Sequence, residues 1–70
     1  MKDDDAVLEL QRLVAKYVDD EKAREELRQL IVLNGAFATK GVLAEITRAK
    51  GKRVTSDDVE IIHRLAVEFI

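Results

Sequence analysis

The chain has 70 residues, enough for one small domain and no more. It carries no cysteine and a single histidine, which excludes a disulfide framework and argues against a catalytic zinc site on ligand number alone. Charged residues make up 37% and the net charge is −2, which argues against a protein that coats DNA by bulk charge. Because a single core of this size is only marginally stable, oligomerisation is the stabilising device that remains.

The first predicted helix covers residues 6–18, where apolar residues recur at spacings of three and four. The acidic residues 3–5 precede this repeat, and negative charge favours the start of a helix. Asp4 or Asp5 is therefore expected to be the N-cap. Asp19 and Asp20 end the helix and can cap the next one.

The longest predicted helix covers residues 21–50, a stretch with no proline and an apolar residue on nearly every turn. Unbroken, it would be about 45 Å long at about 1.5 Å of rise per residue. A compact chain of this length has a radius of gyration of roughly 11 Å, so one chain could not bury such a helix. The pattern therefore predicts a dimer.

The Asn34-Gly35 pair inside this stretch leaves a second interpretation open. Asn-Gly is a strong turn signal, and a turn here would give two helices of about 12 and 15 residues in a four-helix monomer. No polar linker surrounds the pair, and the apolar spacing continues through it in phase, which favours one helix.

The expected dimer interface combines apolar residues with small ones, because small side chains let two long helices approach closely where they cross. It draws on the central helix, the loop that follows and the last helix. The expected interface residues are Leu30, Leu33, Phe37, Ala38, Gly41, Val42, Ile46, Val54, Ile62, Leu65 and Phe69.

The last predicted helix covers residues 56–70. Gly51 suits the left-handed position that ends the preceding helix, and cations there favour the negative end of the helix dipole. Thr55 can cap the last helix, with Asp58 three residues on as the acid of a shortened capping box.

The only basic cluster of the sequence lies between the last two predicted helices, with no acidic residue between Glu45 and Asp57. We expect these cations to contact the phosphates of double-stranded DNA weakly. Each such contact would add a salt-dependent increment to the affinity. The alternative is that cations are simply favourable at the end of a helix. The expected DNA-binding residues are Arg48, Lys50, Lys52, Arg53 and Thr55.

The segment AKGKRVTSDDV at 49–59 resembles the second loop of core and archaeal histones. In that family a basic pair precedes a valine or isoleucine, a capping residue, and an Asp-Val or Asp-Ile that opens the third helix. The layout of short, long and short helices is also that of the histone fold. The resemblance implies that Val54 makes a short parallel strand contact with the partner's first loop. It also implies that Lys50, Lys52 and Arg53 face DNA phosphates.

Residues 59–70 are similar to the last helix of the centromere protein X family, the smaller half of a histone-fold pair that binds DNA in repair and at centromeres. This similarity implies an architectural role in chromatin or in a repair complex. Three features depart from the histone pattern: the first loop is short and acidic, Arg53 stands where many histones have threonine, and neither end carries a basic tail. Such a protein could keep the dimer and lose most of its DNA contact.

No catalytic pattern is present, and we expect no enzyme, cofactor, metal site or small-molecule substrate. Asp57 and Asp58 stand in the first turn of a helix without a nucleophile, which indicates capping rather than acid–base chemistry. His63 is expected to be a surface or interface residue. The first residues are unlike a signal peptide, and no apolar run approaches about 18 residues, so we expect an intracellular protein with no membrane contact.

The prediction is thus an all-α histone fold over residues 1–70, an obligate dimer formed with itself or with a second histone-fold chain. Two other functions stay open. One is an adaptor subunit that docks a protein partner through its acidic first half and does not bind DNA. The other is a helical lid fragment of an AAA-type ATPase, because such lids also end with Val-Thr-x-x-Asp-Val and an amphipathic helix. A designed bundle is also considered, although Asn34, Thr39 and Gly41 inside a helix are residues that a designer avoids.

Overall fold

The computed structural model describes residues 1–48 and 54–70, which form helices and loops without a β-strand in those two ranges. The described helices are α1 (Asp3–Tyr17), α2 (Glu21–Asn34), α3 (Thr39–Arg48) and α4 (Ser56–Phe69), with a 3-10 helix (Gly35–Ala38) between α2 and α3. The prediction of an all-α protein is therefore confirmed.

The start of α1 differs from the prediction. The helix begins at Asp3 rather than near residue 6, and Lys2 occupies the N-cap position without a side-chain capping bond. The acidic residues 3–5 therefore lie inside the first turn, where they stabilise the positive end of the helix dipole. The prediction that Asp4 or Asp5 is the N-cap was wrong.

The start of α2 agrees with the prediction. A carboxylate oxygen of Asp20 accepts a hydrogen bond from the backbone N–H of Ala23 at 2.9 Å, which satisfies one of the free donors at the helix start. Because α1 ends at Tyr17 and α2 begins at Glu21, only three residues connect them.

The predicted unbroken helix over 21–50 is wrong, because the chain turns at Gly35. This residue has a φ of +58°, in the left-handed region that glycine adopts without steric cost. On either side the turn is closed by side chains: the Asn34 amide donates to the Leu30 carbonyl at 3.1 Å, and the Thr39 hydroxyl donates to the Ala36 carbonyl at 2.7 Å. The break at Asn34-Gly35 in the second interpretation is therefore confirmed, whereas its expectation of a monomer stays a prediction.

Beyond the turn, α3 folds back towards α2. A Cβ placed on Gly41 would lie 2.7 Å from Cδ2 of Leu30, although in a straight helix these residues would be about 16 Å apart along the axis. An open cleft between the two helices is lined at one end by Ala23 and Glu45. The two helices therefore touch near the turn and line a common cleft.

The core is built around α1, which contacts α2, the 3-10 helix, α3 and α4. Its buried residues are Ala6, Leu10, Leu13, Val14 and Tyr17. The chain has a radius of gyration of 10.9 Å and extends over 29 × 27 × 16 Å. Folding back at Gly35 thus lets one chain bury much of the apolar surface that was expected to require a second copy.

The expected dimer-interface residues divide into three groups by exposure. Ala38, Val42, Ile46 and Leu65 are buried in the core of the single chain. Leu30, Gly41, Val54, Ile62 and Phe69 are half-buried. Leu33 and Phe37 are 79% and 81% exposed, and the neighbouring Val32 is 74% exposed. We call Val32, Leu33 and Phe37 the turn patch.

One run of the described residues, Glu21–Arg48, passes a test of length and composition for a membrane-crossing helix, a test that the core helix of a soluble protein also passes. The turn divides this run into α-helices of 14 and 10 residues, about 21 and 15 Å long at about 1.5 Å per residue. Neither helix reaches across a hydrocarbon layer of about 30 Å.

Candidate nucleic-acid interface

The outward face of α3 carries cationic side chains and small ones. The opposite face is buried against α1, α4 and the turn through Thr39, Val42, Leu43 and Ile46. This leaves four exposed residues at spacings of three and four: Lys40, Ala44, Thr47 and Arg48. Lys40 and Arg48 are eight residues apart, about 12 Å along the helix axis. Arg48 belongs to the DNA-binding set predicted from the sequence, whereas Lys40 and Thr47 do not. Their position on one face with Arg48 becomes evident only once the buried face of α3 is known.

Acidic residues are distributed differently on the other described helices. α1 begins with exposed carboxylates at residues 3–5, α2 exposes Glu21, Glu25 and Glu26, and α4 exposes Asp57, Glu60 and Glu68. The single acid of α3, Glu45, is half-buried, and its Oε1 lies 3.1 Å from a guanidinium nitrogen of Arg48. Of the four described helices, α3 therefore has the outer face that repels a polyanion least.

Arg48 lies in the last turn of α3, where its charge is favourable for the negative end of the helix dipole. Its side chain is 77% exposed, so its pairing with Glu45 is a surface ion pair that water and salt weaken. The guanidinium therefore remains accessible to a phosphate. Lys50, Lys52 and Arg53, the other cations of the predicted DNA-binding set, lie outside the described residues, as does the predicted helix-ending role of Gly51.

Thr55 is the last residue of the predicted DNA-binding set and the N-cap of α4, which begins at Ser56. We call the stretch from Arg48 to Thr55 the basic segment. Its hydroxyl accepts a hydrogen bond from the Asp58 backbone N–H at 3.3 Å, so its predicted role as the N-cap is confirmed. Its own backbone N–H donates to the Tyr17 hydroxyl oxygen at 3.2 Å. This end of the basic segment is thus attached to α1, while its contact with DNA stays a prediction.

Asp58 is a buried carboxylate, 3% exposed, that joins α4 to α1. Lys16 Nζ lies 2.8 Å from Oδ2, a guanidinium nitrogen of Arg12 lies 2.8 Å from Oδ1, and the Tyr17 hydroxyl donates to Oδ2. The Lys16 ammonium also lies 5.4 Å from the centre of the Tyr17 ring, within cation–π range. We call Arg12, Lys16, Tyr17 and Asp58 the Asp58 cluster.

The electrostatics of the Asp58 cluster keep its carboxylate charged. Hydrogen bonds from Lys16 and Tyr17, with a smaller contribution from Arg12, hold the pKa of Asp58 well below its usual range. The same carboxylate raises the pKa of Lys16. The ion pairs and hydrogen bonds of the cluster connect α4 to α1 and fix the start of α4. Asp58 was expected to be the acid of a capping box, whose side chain accepts a hydrogen bond from the backbone N–H of the N-cap residue. That N–H of Thr55 donates to the Tyr17 hydroxyl instead, and the Asp58 carboxylate bonds to partners more than 40 residues away in the chain.

Within residues 1–48 and 54–70, no group of three or more His, Cys, Asp or Glu side chains is placed to hold a metal ion. His63 is exposed on the outer face of α4, between Val59 and Val67, which are also exposed.

Comparison with family models, with curated proteins and with solved structures gives no match. Function must therefore be inferred from the geometry and chemistry of the chain itself.

Proposed function

We propose that this protein binds duplex DNA weakly, as a dimer, through phosphate contacts made by the basic segment from Arg48 to Thr55. The observation that supports the proposal is the outer face of α3, which carries two cations and no fully exposed acid in a chain that is acidic elsewhere. This face leads directly into Lys50, Lys52 and Arg53 of the sequence. The role is architectural, as in a chromatin or repair complex, and involves no catalysis.

Local charge, rather than net charge, determines affinity in this mechanism. Each phosphate contact releases condensed counterions, so the logarithm of the binding constant falls by about 0.9 per contact for each tenfold rise in salt. Arg48, Lys50, Lys52 and Arg53 supply four cations per chain. A dimer presents this set twice, and two weak sites on one duplex bind more tightly than either site alone.

Dimerisation is assigned to the turn patch of Val32, Leu33 and Phe37. These large apolar side chains are adjacent at the end of α2 and in the turn, and each is at least 74% exposed. Burying one such side chain contributes about 1.5–3 kcal/mol. In a twofold pair six of them are available, and their burial is comparable in size to an association cost of roughly 4–15 kcal/mol.

A histone-fold pair is the more specific form of this dimer. It requires the hairpin of α2 and α3 to open at Gly35 into one long helix, as the resemblance of the 49–59 segment implies. The position of the turn patch supports this form, because its three exposed side chains surround the hinge and an opened helix could bury them against the partner chain.

The distance between spin labels at Lys22→Cys and Ala44→Cys tests the histone-fold form. Both residues are exposed. In one straight helix the labelled backbone positions would be about 33 Å apart, whereas the hairpin brings α2 and α3 to the same cleft. A distance near 33 Å in the dimer supports the histone fold. A short distance in both monomer and dimer contradicts it and leaves DNA binding to be tested separately.

DNA binding is tested by titrating a labelled duplex at several salt concentrations. We expect the affinity to fall with salt and the double variant Lys52→Ala with Arg53→Ala to bind at least tenfold more weakly at low salt, with a smaller salt slope. Lys2→Ala with Lys22→Ala is the matched control, because it removes the same charge from exposed positions away from the basic segment.

Equal losses in the two double variants would mean that net charge alone determines binding and would contradict the proposed site. Absence of any binding to duplex at low salt would leave the adaptor function, with a protein partner in place of DNA. Helical content measured on the same samples shows whether each variant is folded.

A further inference from the structure

The α2–turn–α3 segment has the order of elements of a helix-turn-helix unit, with two helices joined by a short turn. Two helices of 14 and 10 residues are joined by the four-residue segment Gly35–Ala38, which begins with a glycine at positive φ. The helices touch where Gly41 approaches Leu30, and an open cleft between them is lined by residues of both. In DNA-binding units of this kind the second helix enters the major groove and its outward side chains contact base edges.

We propose that α3 is a recognition helix that enters the major groove of duplex DNA, with Lys40, Ala44 and Thr47 facing the base pairs. This inference rests on the proposed DNA binding and on the turn at Gly35 staying closed, so it replaces the histone-fold form and adds a mechanism for sequence preference. Histone-like phosphate contact alone would carry no such preference, because phosphates are the same at every base pair.

The chemistry of the outward face suits base recognition. Lys40, in the first turn of α3, can donate to the O6 and N7 acceptors of guanine. Ala44 is short enough for the helix to approach the bases closely and can contact a thymine methyl group. Thr47 donates its hydroxyl proton to the Leu43 carbonyl at 2.8 Å, so the oxygen lone pairs and the methyl group remain for a base.

The dimensions and surroundings of α3 are compatible with this placement. A helix with its side chains is about 10–12 Å in diameter, and the major groove of B-DNA is about 12 Å wide. The buried face of α3 rests on α1 and α4, so the helix is presented on a rigid support. Arg48 at the end of the helix is then available for a phosphate beside the groove.

Selection of binding sites from a pool of randomised duplexes tests the inference. The full chain is expected to enrich a short motif, and Lys40→Ala is expected to lose preference at one position, with a tenfold to hundredfold lower affinity for the selected site. Ala44→Gln, which adds bulk without charge on an exposed helical position, is expected to abolish selection. Lys22→Ala, an exposed cation of α2, is the charge-matched control and should leave the motif unchanged.

The outcomes separate this inference from the proposed function. Salt-dependent binding without any enriched motif, or a motif that survives both α3 variants, overturns the recognition helix while phosphate binding stands. No binding to any duplex overturns both proposals. Helical content and thermal unfolding of each variant confirm that a lost motif does not reflect a lost fold.

Discussion

At the scale of single residues, Asp58 carries the most interactions for its size. Its backbone N–H donates a hydrogen bond to the Thr55 hydroxyl. Its carboxylate forms ion pairs with Arg12 and Lys16 and accepts a hydrogen bond from the Tyr17 hydroxyl. A buried carboxylate is tolerated only when such partners replace its lost hydration. The cluster therefore fixes α4 to α1 in one register, and that register also determines where the basic segment ends.

Asp58→Asn is expected to lower the free energy of unfolding at pH 7 by about 2 kcal/mol, because charge-assisted hydrogen bonds in a buried site are lost. Partner groups hold the folded-state pKa of Asp58 below its unfolded value, which is about 3.9. The contribution of the Asp58 carboxylate to the free energy of unfolding is therefore fully present at pH values above the unfolded-state pKa and is lost as the pH falls below it.

Urea unfolding at pH values from 7 to 3 measures this effect. The difference between the native chain and Asp58→Asn should shrink below about pH 4. Asp57→Asn is the matched control, since Asp57 is exposed in the same helical turn and should change stability much less. A difference that is constant over this pH range, or equal for both variants, would contradict the role given to the Asp58 carboxylate.

At the scale of secondary-structure elements, the decisive feature is the turn between α2 and α3. Asn34 and Thr39 bond to backbone carbonyls on either side of it, and Gly35 supplies the left-handed backbone that the reversal requires. Periodicity alone did not reveal the break, because apolar residues continue in phase through the turn and are then divided between two helices. The dipeptide Asn34-Gly35 was the informative signal.

Gly35→Ala is expected to destabilise the chain by about 1–2 kcal/mol, because an L-residue with a side chain is strained at positive φ. Gly41→Ala makes the same chemical change inside α3. Its Cβ would meet the terminal Cδ2 of Leu30, which can move, and alanine favours a helix by about 1 kcal/mol over glycine.

Thermal and urea unfolding of the two variants compare these sites. We expect Gly41→Ala to be the more stable of the pair. The reverse order would show that the Leu30 side chain cannot move away from the added Cβ at Gly41. The contact between α2 and α3, rather than the turn, would then limit stability.

At the scale of the whole molecule, the chain buries a core and still exposes several large apolar residues. The turn patch lies around the turn between α2 and α3. Val59 and Val67 are exposed on the outer face of α4, and Ile70 is exposed directly after this helix. A dimer formed through the turn patch joins two basic segments in one particle, which is the reason that association and DNA affinity are linked in the proposed function.

Leu33→Ser with Phe37→Ser is expected to shift the dimer to monomer at the same concentration while keeping the helical content, because both side chains are largely exposed in the single chain. Light scattering over a concentration series measures the association. Val67→Ser with Ile70→Ser is the control on α4 and should leave the dimer intact. A monomeric native chain, or dissociation caused only by the α4 variant, would remove the turn patch as the interface.

The sequence by itself determined the helical class, the boundary and cap at Asp20, the cap at Thr55, and the possibility of a turn at Asn34-Gly35. These features depend on neighbouring residues, since capping and turn formation act over three or four positions. Only the tertiary structure decided that 21–48 folds back, that Ala38, Val42, Ile46 and Leu65 belong to the core, and that Asp58 meets α1. Those outcomes depend on contacts between residues far apart in the chain, because packing decides which face of each helix is covered and which, like that of α3, stays exposed.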